Sequence, residues 1–296
     1  MSLAELLVSA ITSEPGPRPR DDELDLFGLT HPGKVRKENQ DHFLICTVHQ
    51  QLAIHGTSFP DPSKLQVRGE RLATIVLVAD GVGGGAAGGQ ASQLTIETIA
   101  RYVSHTLRCV QSPGGMPPDE ELFASLREAA HQAHDAVRAE AAARGEAHMA
   151  TTLTLGIGIW PNAYYMQLGD SRAYYYADGK LLRVTRDQTV AQELADQGIL
   201  PIDRVAKSPF RHVLSRAIGS SEATPEVTRL ELKRGCVNLL CSDGLTKHVA
   251  DAEIAEQIQK MTSSEQLCRT LVDMALDRGG SDNVTVVVAR PRDNPT

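Results

Sequence analysis

The stretch RLATIVLVADGVGGG, residues 71–85, decides how the rest of the chain reads. Its apolar run is rich in β-branched residues and too short for a buried helix, which predicts a buried strand at about 72–79 that ends against Asp80. From Gln90 the apolar period changes to three and four, first through Ile96, Ile99, Val103 and Leu107, then through Leu122, Leu126, Ala129, Ala133 and Val137. That spacing predicts two amphipathic helices separated by the breaker SPGGMPPD. Upstream, segments at about 24–30 and 42–49 read as strands. Downstream, TLTLGIGI (152–159), AYYMQL (163–168) and RAYYYA (172–177) form a meander that turns at ADGK. Thr189 and Gln192 have the form of a capping box that opens a short helix, which Gly198 can end. Strands at about 227–232 and 236–241, helices over 251–260 and 264–277, and a last strand NVTVVVA complete the chain. This order lacks the strict alternation of a parallel sheet. It predicts an α+β chain of two sheets packed face to face with helix pairs outside.

With 296 residues, 41% hydrophobic and 23% charged, the chain has the composition of a soluble globular protein that builds a core without disulfides. The net charge of −7 supplies no basic face, which excludes nucleic acid as a partner, and an acidic enzyme acting on phosphate would need a cation. The five cysteines are odd in number, widely spaced and mostly in apolar runs, so they read as reduced core residues of a cytoplasmic protein. The N-terminus lacks a basic leader and carries Glu5 within its short apolar stretch, so no signal peptide is expected. No apolar run approaches the roughly 20 residues that span a bilayer, so no membrane partner is expected either. Three prolines among charges in SEPGPRPRDDE make residues 1–23 a flexible N-terminal arm before a single domain at 24–291.

The chemistry lies at the strand ends. Four times an apolar run abuts an aspartate beside a small turn residue: Asp80 before Gly81, Asp170 before Ser171, Asp243 before Gly244, and Asp282 with Asn283 ahead of VTVVV. Any one of them is an ordinary turn. Four from one pair of sheets can converge on a point, where their repulsion requires neutralisation, and oxygen-only ligands suit Mg²⁺ or Mn²⁺. The glycines at Gly83, Gly85 and Gly88 also spell G-x-G-x-x-G after a strand. A dinucleotide site fails here, because two helices intervene before the next strand and Asp80 would repel a pyrophosphate. These glycines instead allow backbone carbonyls, Gly81 first, to approach a metal. Arg36 lies in a loop between strands. Alone it is a solvated residue; beside a metal cluster its guanidinium suits bidentate phosphate binding.

Taken in order, G-x-x-R-x-x-N-Q-D (Gly33 to Asp41), D-G-V-G-G (Asp80 to Gly84), A-T-T-L (Ala150 to Leu153), L-G-D-S-R (Leu168 to Arg172), L-C-S-D-G-L-T (Leu240 to Thr246) and S-D-N-V-T-V-V-V (Ser281 to Val288) closely resemble the bacterial metal-dependent serine/threonine protein phosphatases of type 2C. The resemblance spans about residues 24–290 and implies a four-layer α-β-β-α sandwich, two mainly antiparallel sheets flanked by helix pairs, with a two-metal centre. It implies hydrolysis of phosphoserine and phosphothreonine on proteins by direct attack of a metal-bridging hydroxide, with phosphorylated proteins, substrates of a serine/threonine kinase, as partners. By the same resemblance Asp80 bridges both core ions of Mn²⁺ or Mg²⁺, Gly81 lends its carbonyl to one, and Asp243 and Asp282 hold the other. Asp170 joins Asp243 at a weaker third ion, Arg36 binds phosphate, and Asp41 accepts from metal-bound water in the outer shell. Gln40 replaces the glutamate of many relatives, removing a negative charge beside the metals. Val82 replaces the histidine general acid of animal relatives.

A flap at about 198–219 is expected beside the site, where Arg204, Lys207, Arg211 and Arg216 against Asp203 give a net +3 suited to acidic phosphoprotein segments. The histidines show no metal spacing and read as surface residues. Two other functions compete: a non-catalytic phosphoprotein-binding regulator of the same fold, and a nucleotide phosphodiesterase, which the 4% aromatic content disfavours.

Overall fold

The computed structural model of the protein describes residues 16–51, 68–83, 86–109, 118–146 and 148–292. Most of the expected breaker, Gly84 and Gly85 of the glycine run, and residues 1–15 of the arm lie outside them. In chain order the elements are β1 (Leu24–His31), β2 (Asp41–Gln51), β3 (Arg68–Val82), α1 (Ala87–Cys109), α2 (Asp119–Arg144), β4 (Ala150–Thr151), β5 (Leu153–Ile159), β6 (Asn162–Leu168), β7 (Arg172–Ala177), β8 (Lys180–Arg183), α3 (Val190–Asp196), β9 (Glu226–Glu231), β10 (Val237–Cys241), α4 (Asp243–Thr246), α5 (Asp251–Lys260), α6 (Ser264–Asp277) and β11 (Val284–Pro291). One sheet has the order β1-β11-β10-β7-β8 and the other β2-β3-β5-β6-β9, with β4 added to the end of β3. The pairings are antiparallel.

Side chains alternate across each strand, so both faces of the central strands are buried and their sequences are apolar throughout. On β3, Ile75 and Leu77 face outward onto Ile99, Val103, Leu126 and Val137 of α1 and α2. Their neighbours Val76 and Val78 face inward and meet Tyr165, Ala173, Leu240 and Val287 between the sheets. The outer face of the other sheet, through Leu239, Val286 and Val288, packs on Ile254, Leu267 and Leu271 of α5 and α6. Three apolar layers between four structural layers make the expected α-β-β-α sandwich.

Residues 16–23, the described part of the expected arm, hydrogen-bond to the sandwich. Arg71 Nη1 donates to Asp21 at 2.7 Å and Nη2 to the Pro19 carbonyl at 2.7 Å. Trp160 Nε1 reaches the Gly16 carbonyl at 3.3 Å and Arg234 Nε the Pro17 carbonyl at 3.2 Å. The prolines prevent an α-helix, and side chains of the sandwich hold a backbone that ends in one 3-10 turn at Asp21–Glu23.

Candidate metal centre

The carboxylates reach one end of the sandwich from both sheets. Asp41 opens β2 and pairs in register with Asp80 near the end of β3. Asp170 sits in the link between β6 and β7, Asp243 opens α4 directly after β10, and Asp282 lies two residues before β11. Asp80 is inside its strand, not beyond it as the sequence suggests, because Gly81 and Val82 continue the ladder by pairing with β4. Two glycines permit this convergence. A Cβ on Gly81 would stand 2.3 Å from the backbone of Gly88 and 2.9 Å from the Gln40 carbonyl, so only glycine lets the end of β3 pass the start of α1 so closely. A Cβ on Gly244 would stand 1.9 Å from the Asn283 carbonyl, which fixes the Asp243 turn against the Asp282 turn.

Burial, then repulsion from Asp41, Asp243, Asp170 and Asp282, pushes the Asp80 carboxyl well above the usual range. Asp170 is raised well above it too, by burial and then by Asp243 and Asp187. For Asp41 burial dominates over the hydroxyls of Thr285 and Ser242, each 2.7 Å from its Oδ2, and the carboxyl is pushed up to about 6. Asp282 goes the other way. Burial raises it, but hydrogen bonds from Arg36 and Lys247 outweigh burial and hold it below its ordinary value.

Arg36 is therefore where the sequence puts it, but its fork is engaged: Nε donates to Asp282 Oδ1 at 2.8 Å and Nη2 to Oδ2 at 3.0 Å. Gln40 acts through its backbone, donating to Asn283 Oδ1 at 2.9 Å and accepting from Ser92 Oγ at 2.6 Å and Gly81 N at 3.2 Å. Its side-chain oxygen packs toward Gly88.

Two residues of this neighbourhood escaped the sequence reading. Lys247 places Nζ 2.6 Å from Asp243 Oδ2 and 2.7 Å from Asp282 Oδ2, tying the two turns together. Its i,i+4 spacing from Asp243 was the available signal. His212, read as a surface residue, has a ring nitrogen that with one oxygen each of Asp170 and Asp243 forms a set within 4.8 Å of one another. No local pattern marks it, since flap and strand ends meet only in the fold. The flap's charges are also less free than counted. Arg216 lies 3.8 Å from Glu193 and 3.2 Å from Glu226, acids outside the flap, and Arg204 lies 4.0 Å from Asp203.

Asp41 Oδ1 and Asp243 Oδ1 are enclosed with no hydrogen-bond donor among the described residues. Buried anionic oxygens without partners are costly, and a hard divalent cation satisfies them. The donor set thus fits Mn²⁺ or Mg²⁺. Over residues 61–277 the sequence matches the family described as protein phosphatase 2C. The chain belongs to that family. It is 37% identical over 218 residues to the serine/threonine protein phosphatase PstP of Mycobacterium tuberculosis, a match that covers 73% of this chain and 40% of PstP. The chain thus spans about 40% of the length of that curated relative. The crystal structure of M. tuberculosis PstP superimposes with a TM-score of 0.72 at 30% identity, covering 91% of this chain and 99% of that one. A PstP catalytic domain in complex with two manganese ions gives a TM-score of 0.69 at 30% identity, with the same coverage of 91% and 99%.

Proposed function

We propose that this chain is a Mn²⁺- or Mg²⁺-dependent phosphatase that hydrolyses phosphoserine and phosphothreonine on proteins. The observation that carries the reading is the carboxylate cluster itself: Asp41, Asp80, Asp170, Asp243 and Asp282, drawn from two sheets, crowd together at one end of the sandwich, where the other four repel Asp80. In this reading Asp80, the Gly81 carbonyl, Asp243 and Asp282 would hold two core ions, the number of manganese ions in the relative solved with them, and Asp170 with Asp243 would hold a third. Bound there, the ions supply Lewis acidity that activates water for attack on phosphorus and offsets phosphate charge. Asp41, oriented by Ser242 and Thr285, keeps one oxygen to accept a hydrogen bond from water. Arg36 transfers its fork from Asp282 to two phosphate oxygens, a bidentate geometry that lysine cannot reproduce. Val82 offers no proton, so the leaving oxygen takes its proton from outside the end of β3.

A protein substrate is supported by where apolar surface is exposed. Val35, Val82, Ile199, Ile202, Phe210 and Val213 are the exposed large hydrophobics among the described residues, and each lies on a segment that carries a site residue or on the flap. A small phosphate ester needs no such rim, whereas a docked polypeptide does. Among the described residues no helix is long and apolar enough to cross a membrane. Cytoplasmic residence is part of the proposal, supported by the free Cys46, Cys236, Cys241 and Cys268.

One observation favours the non-catalytic regulator: Lys247 and Arg36 already offset charge on Asp243 and Asp282. Turnover decides. Chelator-treated protein should release no phosphate from a phosphothreonine peptide, added Mn²⁺ should restore release, and Asp80→Asn should abolish it while keeping the folded circular dichroism spectrum. Full turnover in chelator, or in Asp80→Asn, would overturn the metal-dependent reading. Tight peptide binding without turnover at saturating Mn²⁺ would establish the regulator.

A further inference from the structure

His212 of the flap reaches the cluster. Asp170, His212 and Asp243 each place a donor atom within 4.8 Å of the other two. Around an ion with bonds of about 2.1 Å, adjacent ligands stand about 3 Å apart and opposite ligands about 4.2 Å. The observed set therefore closes onto an ion with side-chain adjustments of an ångström or less. Two further observations point the same way. Asp170 is 8% exposed, so its carboxylate meets the cluster with little access to solvent. Asp243 divides its oxygens, with Oδ2 on Lys247 and Oδ1 enclosed without a donor.

We infer that His212 is a nitrogen ligand of a third divalent-ion site completed by Asp170 and Asp243, so that a bound transition metal fastens the flap to the strand ends. The inference rests on the metal-centre reading above, because Asp243 is shared with it. It adds a ligand from outside the aspartate set and a consequence for the flap. The core set is all oxygen and accepts Mg²⁺ as well as Mn²⁺. A site with one imidazole and two carboxylates prefers Mn²⁺, or a later first-row ion, over Mg²⁺.

The flap's own attachments near His212 are few. Val190 N donates to the Val213 carbonyl at 2.8 Å and Ala191 N to the Phe210 carbonyl at 3.4 Å, and an isolated bridge joins Thr189 to Leu214. On the far side of His212 lies the turn of 3-10 helix Ile202–Lys207, with exposed Ile202 and Phe210. The backbone bonds flank His212, so an ion on its ring adds a tie to the strand-end carboxylates where the flap otherwise meets the start of α3, and it sets how the apolar rim stands over the site. The choice of metal becomes a control on flap order.

The test is spectroscopic and uses the whole chain. Mn²⁺-loaded protein examined by electron spin echo should show ¹⁴N modulation from a directly bound imidazole. Both His212→Gln and Asp170→Asn should lose it. Calorimetry should count three Mn²⁺ for the parent and two for His212→Gln; because His212 is exposed, the variant is expected to fold. Hydrogen exchange across residues 204–214 should be at least about tenfold slower in Mn²⁺ than in Mg²⁺ for the parent, a difference of about 1.4 kcal/mol in opening free energy, and equal in the two metals for His212→Gln. No nitrogen modulation in the parent, or modulation that survives in His212→Gln, overturns the inference while two bound ions leave the metal-centre reading intact. A chain that binds no Mn²⁺ at all overturns both.

Discussion

Lys247 holds two carboxylates from different turns, at 2.6 Å from Asp243 and 2.7 Å from Asp282. A divalent ion that uses the same oxygens must displace the ammonium, so Lys247 is a built-in competitor for that position. Lys247→Met is therefore predicted to tighten Mn²⁺ binding on the order of tenfold, about 1.4 kcal/mol, by calorimetry. Unchanged affinity would contradict competition, and weaker affinity would show that the ammonium positions the carboxylates for the metal. Asp41 gives a prediction in pH. Its folded carboxyl, pushed up to about 6 by burial, sits above the ordinary 3.8, so the folded chain holds the proton more tightly than the unfolded chain. The stability this contributes is complete below pH 3.8 and is lost as pH rises through about 6, by at most about 3 kcal/mol. In chelator, the Tm should fall between pH 4 and 7, Asp41→Asn should flatten that fall, and Mn²⁺ should reverse it. A Tm in chelator that rises over this range would contradict the buried-carboxylate account. The sequence made the aspartates legible because each follows an apolar run. It concealed Lys247 and His212, whose partners are set by tertiary contact, and it concealed that Arg36 pairs with Asp282.

The turn from β10 into α4 shows how an element, not a residue, delivers a ligand. Ser242 links the strand, which ends at Cys241, to the helix that Asp243 begins, and its hydroxyl donates to Asp41 at 2.7 Å. Gly244 then passes so close to Asn283 that an added methyl group would overlap the carbonyl. Gly244→Ala should cost about 1 to 3 kcal/mol in chelator, from overpacking, and should also weaken Mn²⁺ binding because Asp243 and Asp282 move apart. Thermal melts with and without Mn²⁺ separate the two effects; a stability loss with unchanged Mn²⁺ affinity would show that the turn does not position the ligands. The last two helices were legible to the residue, whereas β3, expected at about 72–79, runs from Arg68 to Val82. Helices over 251–260 and 264–277 stand where the spacing puts them, and Ser263 Oγ caps the second by accepting from Gln266 N at 3.0 Å. Gln266 Oε1 in turn accepts from Thr262 N at 3.1 Å, one residue before the cap. The elements that escaped, β4 (2 residues), β8 (4 residues) and α4 (4 residues), are too short to carry a period. Their existence depends on the strand or turn beside them.

Across the whole molecule, the two sheets share an apolar interior yet meet at one end through acids. Val76, Tyr165, Leu240 and Val287 hold the layers together along their length. Beyond them, Asp41 and Asp80 from one sheet face Asp243 and Asp282 from the other. The layered arrangement was legible because helix pairs and strand groups alternate in blocks. The sheet order was not, because β1 pairs with β11 across 24–291, a contact that no local pattern reports. Divalent ions would join the layers where the apolar core stops, and diffraction can place them directly. In crystals grown with Mn²⁺, anomalous difference density should show two core peaks at the open end of the sandwich, both in contact with Asp80, one of them also with the Gly81 carbonyl and the other with Asp243 and Asp282. Manganese peaks that avoid Asp80, or none at this cluster in protein crystallised with excess Mn²⁺, would contradict the metal centre and the function proposed from it.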